Sequence, residues 1–95
     1  MRPVIATDLL CAGRAVLFVA PEARSHMART LVRNACLADR HRTNNGARHA
    51  QFGDGTLAAA ARGAGMIAEP GCFTRDFAAA LVLVLQVLIE NGFDD

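Results

Sequence analysis

The sequence predicts an all-α fold, a small single-domain bundle of about four helices with a buried C-terminal hydrophobic helix. The chain has 95 residues, which is room for one small domain. Its apolar residues recur at helical steps of three and four, and clusters of Pro, Gly and Asn divide them into four segments. We therefore expect one helical domain that spans residues 1–95.

The first two segments are predicted to pack as an antiparallel helical hairpin. The first helix follows Pro3, with Thr7 as a candidate N-cap and Asp8 in the first turn, where a negative charge suits the helix dipole. Pro21 indicates the start of the second helix, because proline is tolerated in a first turn but not inside a helix. Thr43-Asn44-Asn45-Gly46 ends that helix, since Asn and Gly tolerate the left-handed conformation of a helix end.

The second helix is amphipathic, with arginines on its outer face. Its apolar line has steps of four, four, four and three, through Ala23, Met27, Leu31, Ala35 and Ala38. Most of its arginines lie off that line. The candidate basic interaction surface consists of Arg29, Arg33, Arg40 and Arg42.

The third and fourth helices each follow a turn. Gly53-Asp54-Gly55-Thr56 precedes a run of alanines, with Asp54 or Thr56 as the cap of a short helix that Gly65 helps to end. Thr74 is the predicted cap of the last helix.

The last helix is apolar on every side except at Gln86 between residues 80 and 89, so we expect it to be buried all round by the other helices or by a second copy. The alternation of residues 82–85 also suits a buried strand, but Ala78-Ala79-Ala80 leads in and no second strand candidate exists, which favours a helix. The predicted inner face consists of Leu81, Val84, Leu85 and Leu88, and the opposite face, free for a second copy, of Val82, Ile89 and Phe93. This makes the last helix the expected hydrophobic centre.

The charges are balanced overall but divided between the two halves of the chain. Ten basic and nine acidic residues leave a formal net charge of +1. Residues 21–50 hold six arginines against two acidic residues, a net charge of +4, whereas residues 51–95 hold two arginines against six acidic residues, a net charge of −4. The two halves are therefore able to attract each other within one chain or between copies.

Cysteine usage and hydropathy predict a cytoplasmic protein with no membrane segment. Cys11, Cys36 and Cys72 are an odd number at wide spacing, which is typical of reduced thiols. The apolar stretch over residues 77–89 has 13 residues, short of the roughly 20 that a membrane span needs.

No pattern indicates an enzyme, a cofactor or a metal site. The chain has five candidate metal ligands within 19 residues, namely Cys36, Asp39, His41, His49 and Asp54. Zinc sites use paired ligands that converge from one turn, whereas Cys36 and His41 are five residues apart on a helix and project in different directions. A cysteine nucleophile would need a histidine base and an orienting acid beside it. All three residue types are present, but any chain of this length and composition would contain them, so they do not indicate catalysis. The turn at residues 53–56 lacks the pattern of a phosphate-binding loop.

The chain resembles a group of short, uncharacterised bacterial proteins. The resemblance rests on Phe52-Gly53-Asp54-Gly55-Thr56-Leu57 and the following alanines, on Glu69-Pro70, and on Asp76-Phe77 leading into Ala79-Ala80-Leu81. Those proteins carry an acidic, proline-containing stretch before the last helix, where this chain has Cys72-Phe73-Thr74-Arg75. The resemblance implies a single all-helical domain and no particular activity.

Two functions remain as hypotheses. The leading one is a non-enzymatic, self-associating interaction module that presents its arginine-rich helix to an acidic partner. The alternative is a small nucleic-acid-binding accessory factor that contacts phosphates through the same arginines. No aromatic residue is interleaved with these arginines for base stacking, which favours the first hypothesis.

Overall fold

The computed structural model describes residues 1–93 and contains four α-helices, so the predicted all-α bundle is confirmed. The helices are α1 (Ala6–Phe18), α2 (Arg24–Asn45), α3 (Leu57–Ala64) and α4 (Arg75–Val87). A 3-10 turn, Pro21–Ala23, precedes α2, and a π-helical segment, Leu88–Gly92, extends α4. The described residues contain no strand, and their single β-bridge joins His49 to Gly53.

Three predicted helix ends are confirmed. The Thr56 hydroxyl accepts the N–H of Ala59 at 3.2 Å, and the Thr74 hydroxyl accepts that of Phe77 at 3.1 Å, so each threonine caps the helix that follows it. Gly46 ends α2 in the left-handed conformation, with φ +69°.

The start of α1 differs from the prediction. Ile5, not Thr7, is the N-cap, and Asp8 is the third helical residue. The Asp8 carboxylate accepts the N–H of Ile5 at 3.0 Å, and its second oxygen accepts the N–H of Ala58 at 3.1 Å. Asp8 is buried, and it therefore joins the first turn of α1 to the first turn of α3, where backbone N–H groups have no partner within their own helix.

Helix α1, and not the last helix, lies at the centre of the fold, because it packs against all three other helices and makes the most extensive contacts of any helix, chiefly with α3 and α4. Ala12, Ala15 and Val16 are fully buried in it. Gly13 faces α4 so closely that a Cβ there would lie 2.7 Å from Leu81 Cδ2. These small side chains allow α3 and α4 to approach α1, which explains why the central helix is not the most apolar one.

The other helices cover α4 on one side only, so the expectation that they bury it all round is wrong, and burial of the other side by a second copy stays a prediction. The buried residues of α4 are Phe77, Ala80, Val84 and Val87, and Leu88 of the following π-helical segment is buried as well. Leu81 is half-buried. Leu85, predicted for the inner face, is 37% exposed. The other helices of a small bundle cover one side of α4, and a uniformly apolar sequence does not show which side that is. Neither α4 nor any other helix of the described residues is long and apolar enough to cross a bilayer.

Candidate functional site

Three of the four predicted arginines form one exposed surface on α2. Arg29, Arg33 and Arg40 are exposed, and their steps of four and seven residues place them on the same side of the helix. We call these three residues the arginine surface. It extends over about 16 Å of helix, at 1.5 Å per residue. No carboxylate of residues 1–93 lies within ion-pair distance of these three guanidinium groups.

Arg42, the fourth predicted arginine, is held within the fold. Its Nη2 donates to Asp39 Oδ1 at 3.0 Å, and Asp39 Oδ2 lies 3.3 Å from the amino group of Met1. The hydrogen bond from Arg42, assisted by the Met1 ammonium group, lowers the pKa of Asp39 below its ordinary value. Arg42 therefore neutralises a carboxylate of its own chain, unlike the three residues of the arginine surface.

The loop between α2 and α3 is organised by His49. Its Nδ1 accepts the N–H groups of Gln51 and Phe52 at 3.0 and 3.1 Å. Its ring stacks on Phe52 with centroids 4.6 Å apart and meets the edge of His41 at 5.0 Å. The structure thus brings together two of the residues considered as metal ligands, but no three His, Cys, Asp or Glu residues of the described chain are arranged to hold a metal ion.

The three cysteines lie in different surroundings and are all free thiols. Cys11 is buried, Cys36 is partly buried and Cys72 is exposed. Cys72 lines a shallow cavity of about 190 Å³ together with Arg14 and Glu69, and none of the described residues that line it is a histidine. The cavity therefore lacks the usual base for a cysteine nucleophile.

The uncovered side of α4 and of the segment after it carries a second exposed surface. Val82, Leu85, Ile89 and Phe93 follow one another at steps of three, four and four residues and are 50%, 37%, 73% and 46% exposed. We call these four residues the apolar stripe. Single exposed apolar residues are common on monomeric proteins, whereas a contiguous apolar patch marks an interaction site.

A groove separates α2 from the end of α4. It has a volume of about 370 Å³. His26, Arg29, Thr30 and Arg33 line it from α2, and Val87 and Asn91 line it from the opposite side. Sequence reasoning missed this groove, although the steps of three and four that join His26, Arg29 and Arg33 place three basic side chains on one side of a helix.

The comparisons with known proteins identify a family. Residues 2–88 match the family model described as a domain of unknown function, DUF7742. The chain belongs to this family. No curated protein and no solved structure matches it. The DUF7742 match confirms the resemblance to uncharacterised proteins, and the description of this family carries no activity.

The DUF7742 match includes all four α-helices. The arginine surface and the first two residues of the apolar stripe, Val82 and Leu85, lie within it. Ile89 and Phe93 follow the last matched residue, so the second half of the stripe lies outside the matched part of the chain.

Proposed function

We propose that this DUF7742 domain is a non-enzymatic interaction module that self-associates through the apolar stripe and presents the arginine surface to an acidic partner. The observation that carries the proposal is the exposed stripe itself. Burial of apolar area is the main favourable contribution to protein association, and the stripe offers such area along α4 and the segment that follows it.

A second copy of the chain is the occupant that fits the stripe best. An apolar helix edge is self-complementary in a two-fold arrangement, since each copy covers the other with the same residues. In an antiparallel pair centred on the stripe, Val82 of each copy lies beside Phe93 of the other, and Leu85 lies beside Ile89, so exposed apolar side chains cover exposed apolar side chains.

Acidic substitutions in the stripe are expected to separate the copies. We expect the wild-type chain to sediment as a dimer or larger species at micromolar concentration, and the double variant Val82→Glu/Ile89→Glu to raise the dissociation constant at least about tenfold. Both side chains are exposed, so the variant should fold, which circular dichroism would check. The matched control is Leu37→Glu, an exposed apolar position on α2. A wild-type monomer at these concentrations, or an equal effect of the control, would contradict the proposal.

The arginine surface supports an acidic partner. Guanidinium groups bind carboxylates with two parallel hydrogen bonds, and three of them along one side of α2 match a run of acidic side chains. They have no ion-pair partner among residues 1–93. The N–H donors of these three guanidinium groups are therefore available to another molecule.

Two arginines that lie two residues apart provide the test of this surface. Using polyglutamate as the probe, we expect Arg40→Gln to weaken binding about three- to tenfold at low salt, since a charge-assisted contact is lost. Arg42→Gln should leave binding nearly unchanged, because Arg42 is already paired with Asp39. Equal effects of the two variants in isothermal titration calorimetry would show that only the overall charge matters.

Nucleic acid is the alternative partner of the same surface, and salt dependence distinguishes the two. If all three arginines neutralise phosphates, the logarithm of the affinity for duplex DNA should fall with the logarithm of the salt concentration with a slope of about −2.7. If the protein bound DNA more tightly than polyglutamate and with such a slope, the partner of the arginine surface would be nucleic acid and not an acidic protein.

The proposal also places the protein in the cytoplasm. Its three cysteines are free thiols, and one of them is exposed. Thiols persist in that state in a reducing compartment, which supports this location.

A further inference from the structure

We propose that the groove between α2 and the end of α4 binds the phosphate group of a small organic molecule. The groove is distinct from the apolar stripe, because Val87 and Asn91, which line it, are not stripe residues. The inference therefore goes beyond self-association and does not depend on it.

The basic side chains of the groove all belong to α2. His26, Arg29 and Arg33 all line it from α2, and no acidic residue of the described chain lines it. Two guanidinium groups one helical turn apart are able to bind the oxygens of one phosphate from two directions. Among the described residues of the lining, an anion in the groove would thus meet basic groups and no carboxylate.

Hydrogen-bond donors complete the lining. Thr30 lies between the two arginines in the sequence, and its Oγ1 is buried with no hydrogen-bond partner among the described residues. This oxygen is covered by the protein, so the donors that a ligand in the groove meets on α2 are those of Arg29 and Arg33. Asn91 adds an amide group from the opposite side.

The size and the apolar lining indicate an ester rather than a free phosphate ion. The volume of about 370 Å³ lies at the small end of the range for ligand sites and exceeds what one phosphate group fills. Val32, Cys36 and Val87 provide apolar contact for the organic part of the molecule. A groove of this size takes a compact phosphate monoester.

Titration of the labelled protein with phenyl phosphate, followed by amide NMR shifts, tests the site. We expect shifts confined to residues 26–36 and 87–91, with phenyl phosphate binding at least about threefold more tightly than inorganic phosphate because its ring covers the apolar lining. Benzoate, which has the same ring and a carboxylate, should bind more weakly. Shifts spread over the whole of α2, or equal affinities for phenyl phosphate and benzoate, would overturn the proposal.

Arginine variants distinguish the groove from the arginine surface as a whole. Arg29→Gln and Arg33→Gln should each lower the affinity for phenyl phosphate about tenfold. Arg40→Gln removes the same charge from the same helix, but Arg40 does not line the groove. The affinity of this variant for phenyl phosphate should therefore stay within about twofold of that of the wild type. An equal loss in Arg40→Gln would refute a defined site. The Val82→Glu/Ile89→Glu variant should bind phenyl phosphate normally, so failure of self-association and failure of this site are separable.

Discussion

Asp8→Ala is expected to lower the free energy of unfolding by about 3 kcal/mol, because a buried carboxylate that accepts two backbone N–H groups is lost. Ile5 loses its bond at the start of α1, and Ala58 loses its bond at the start of α3. Ala58 is itself buried, so water does not readily replace the lost acceptor there. One substitution therefore weakens two helix ends and the link between them.

Urea unfolding followed by circular dichroism measures this effect, with two variants for comparison. Asp8→Asn keeps one acceptor oxygen and is expected to lose about half as much stability as Asp8→Ala. Asp76→Ala, an exposed carboxylate in the first turn of α4, should cost at most about 1 kcal/mol. If Asp8→Ala cost no more than Asp76→Ala, the link between α1 and α3 would contribute little to stability.

Gly55→Ala is expected to lower the free energy of unfolding by about 3 kcal/mol or more, since it combines backbone strain with a steric clash. Gly55 has φ +95°, a conformation that side chains disfavour. A Cβ there would lie 2.8 Å from the Cα of Asp39. That atom belongs to the backbone of α2, so relief requires the turn before α3 and α2 to move apart.

Gly46→Ala is the matched control for Gly55→Ala. Gly46 also has positive φ, +69°, but a Cβ there would meet nothing within 4 Å. Its substitution should cost only about 1 kcal/mol of backbone strain. The difference between the two variants in thermal or urea unfolding isolates the contact between Gly55 and α2. Equal losses would show that strain alone requires glycine at position 55.

Both stability predictions concern residues outside the arginine surface and the apolar stripe. Asp8 and Gly55 are buried and line neither the groove nor the stripe. Variants at these positions should therefore lower stability without changing the affinity of the folded protein for polyglutamate or phenyl phosphate. This separates effects on folding from effects on binding.

The sequence by itself determined the helical segments and most of their ends. Thr56 and Thr74 cap α3 and α4 through bonds to residues three positions later, and Gly46 ends α2 through its own dihedral angles. These features depend on atoms within one turn of helix, so residue types in order are enough to predict them. The spacing of arginines and apolar residues likewise placed the candidate surfaces on α2 and α4.

The tertiary structure alone decided which of these surfaces are free and what joins the helices. It paired Arg42 with Asp39 and left the other three arginines without a described partner, and it exposed Leu85. It also placed α1 at the centre, joined Asp8 to Ala58 across 50 positions, and formed the groove from residues of α2 and of the end of α4. The physical reason is that several faces of this chain are apolar enough to be buried. The choice among them depends on how closely whole helices approach, which side-chain size and non-local hydrogen bonds decide together.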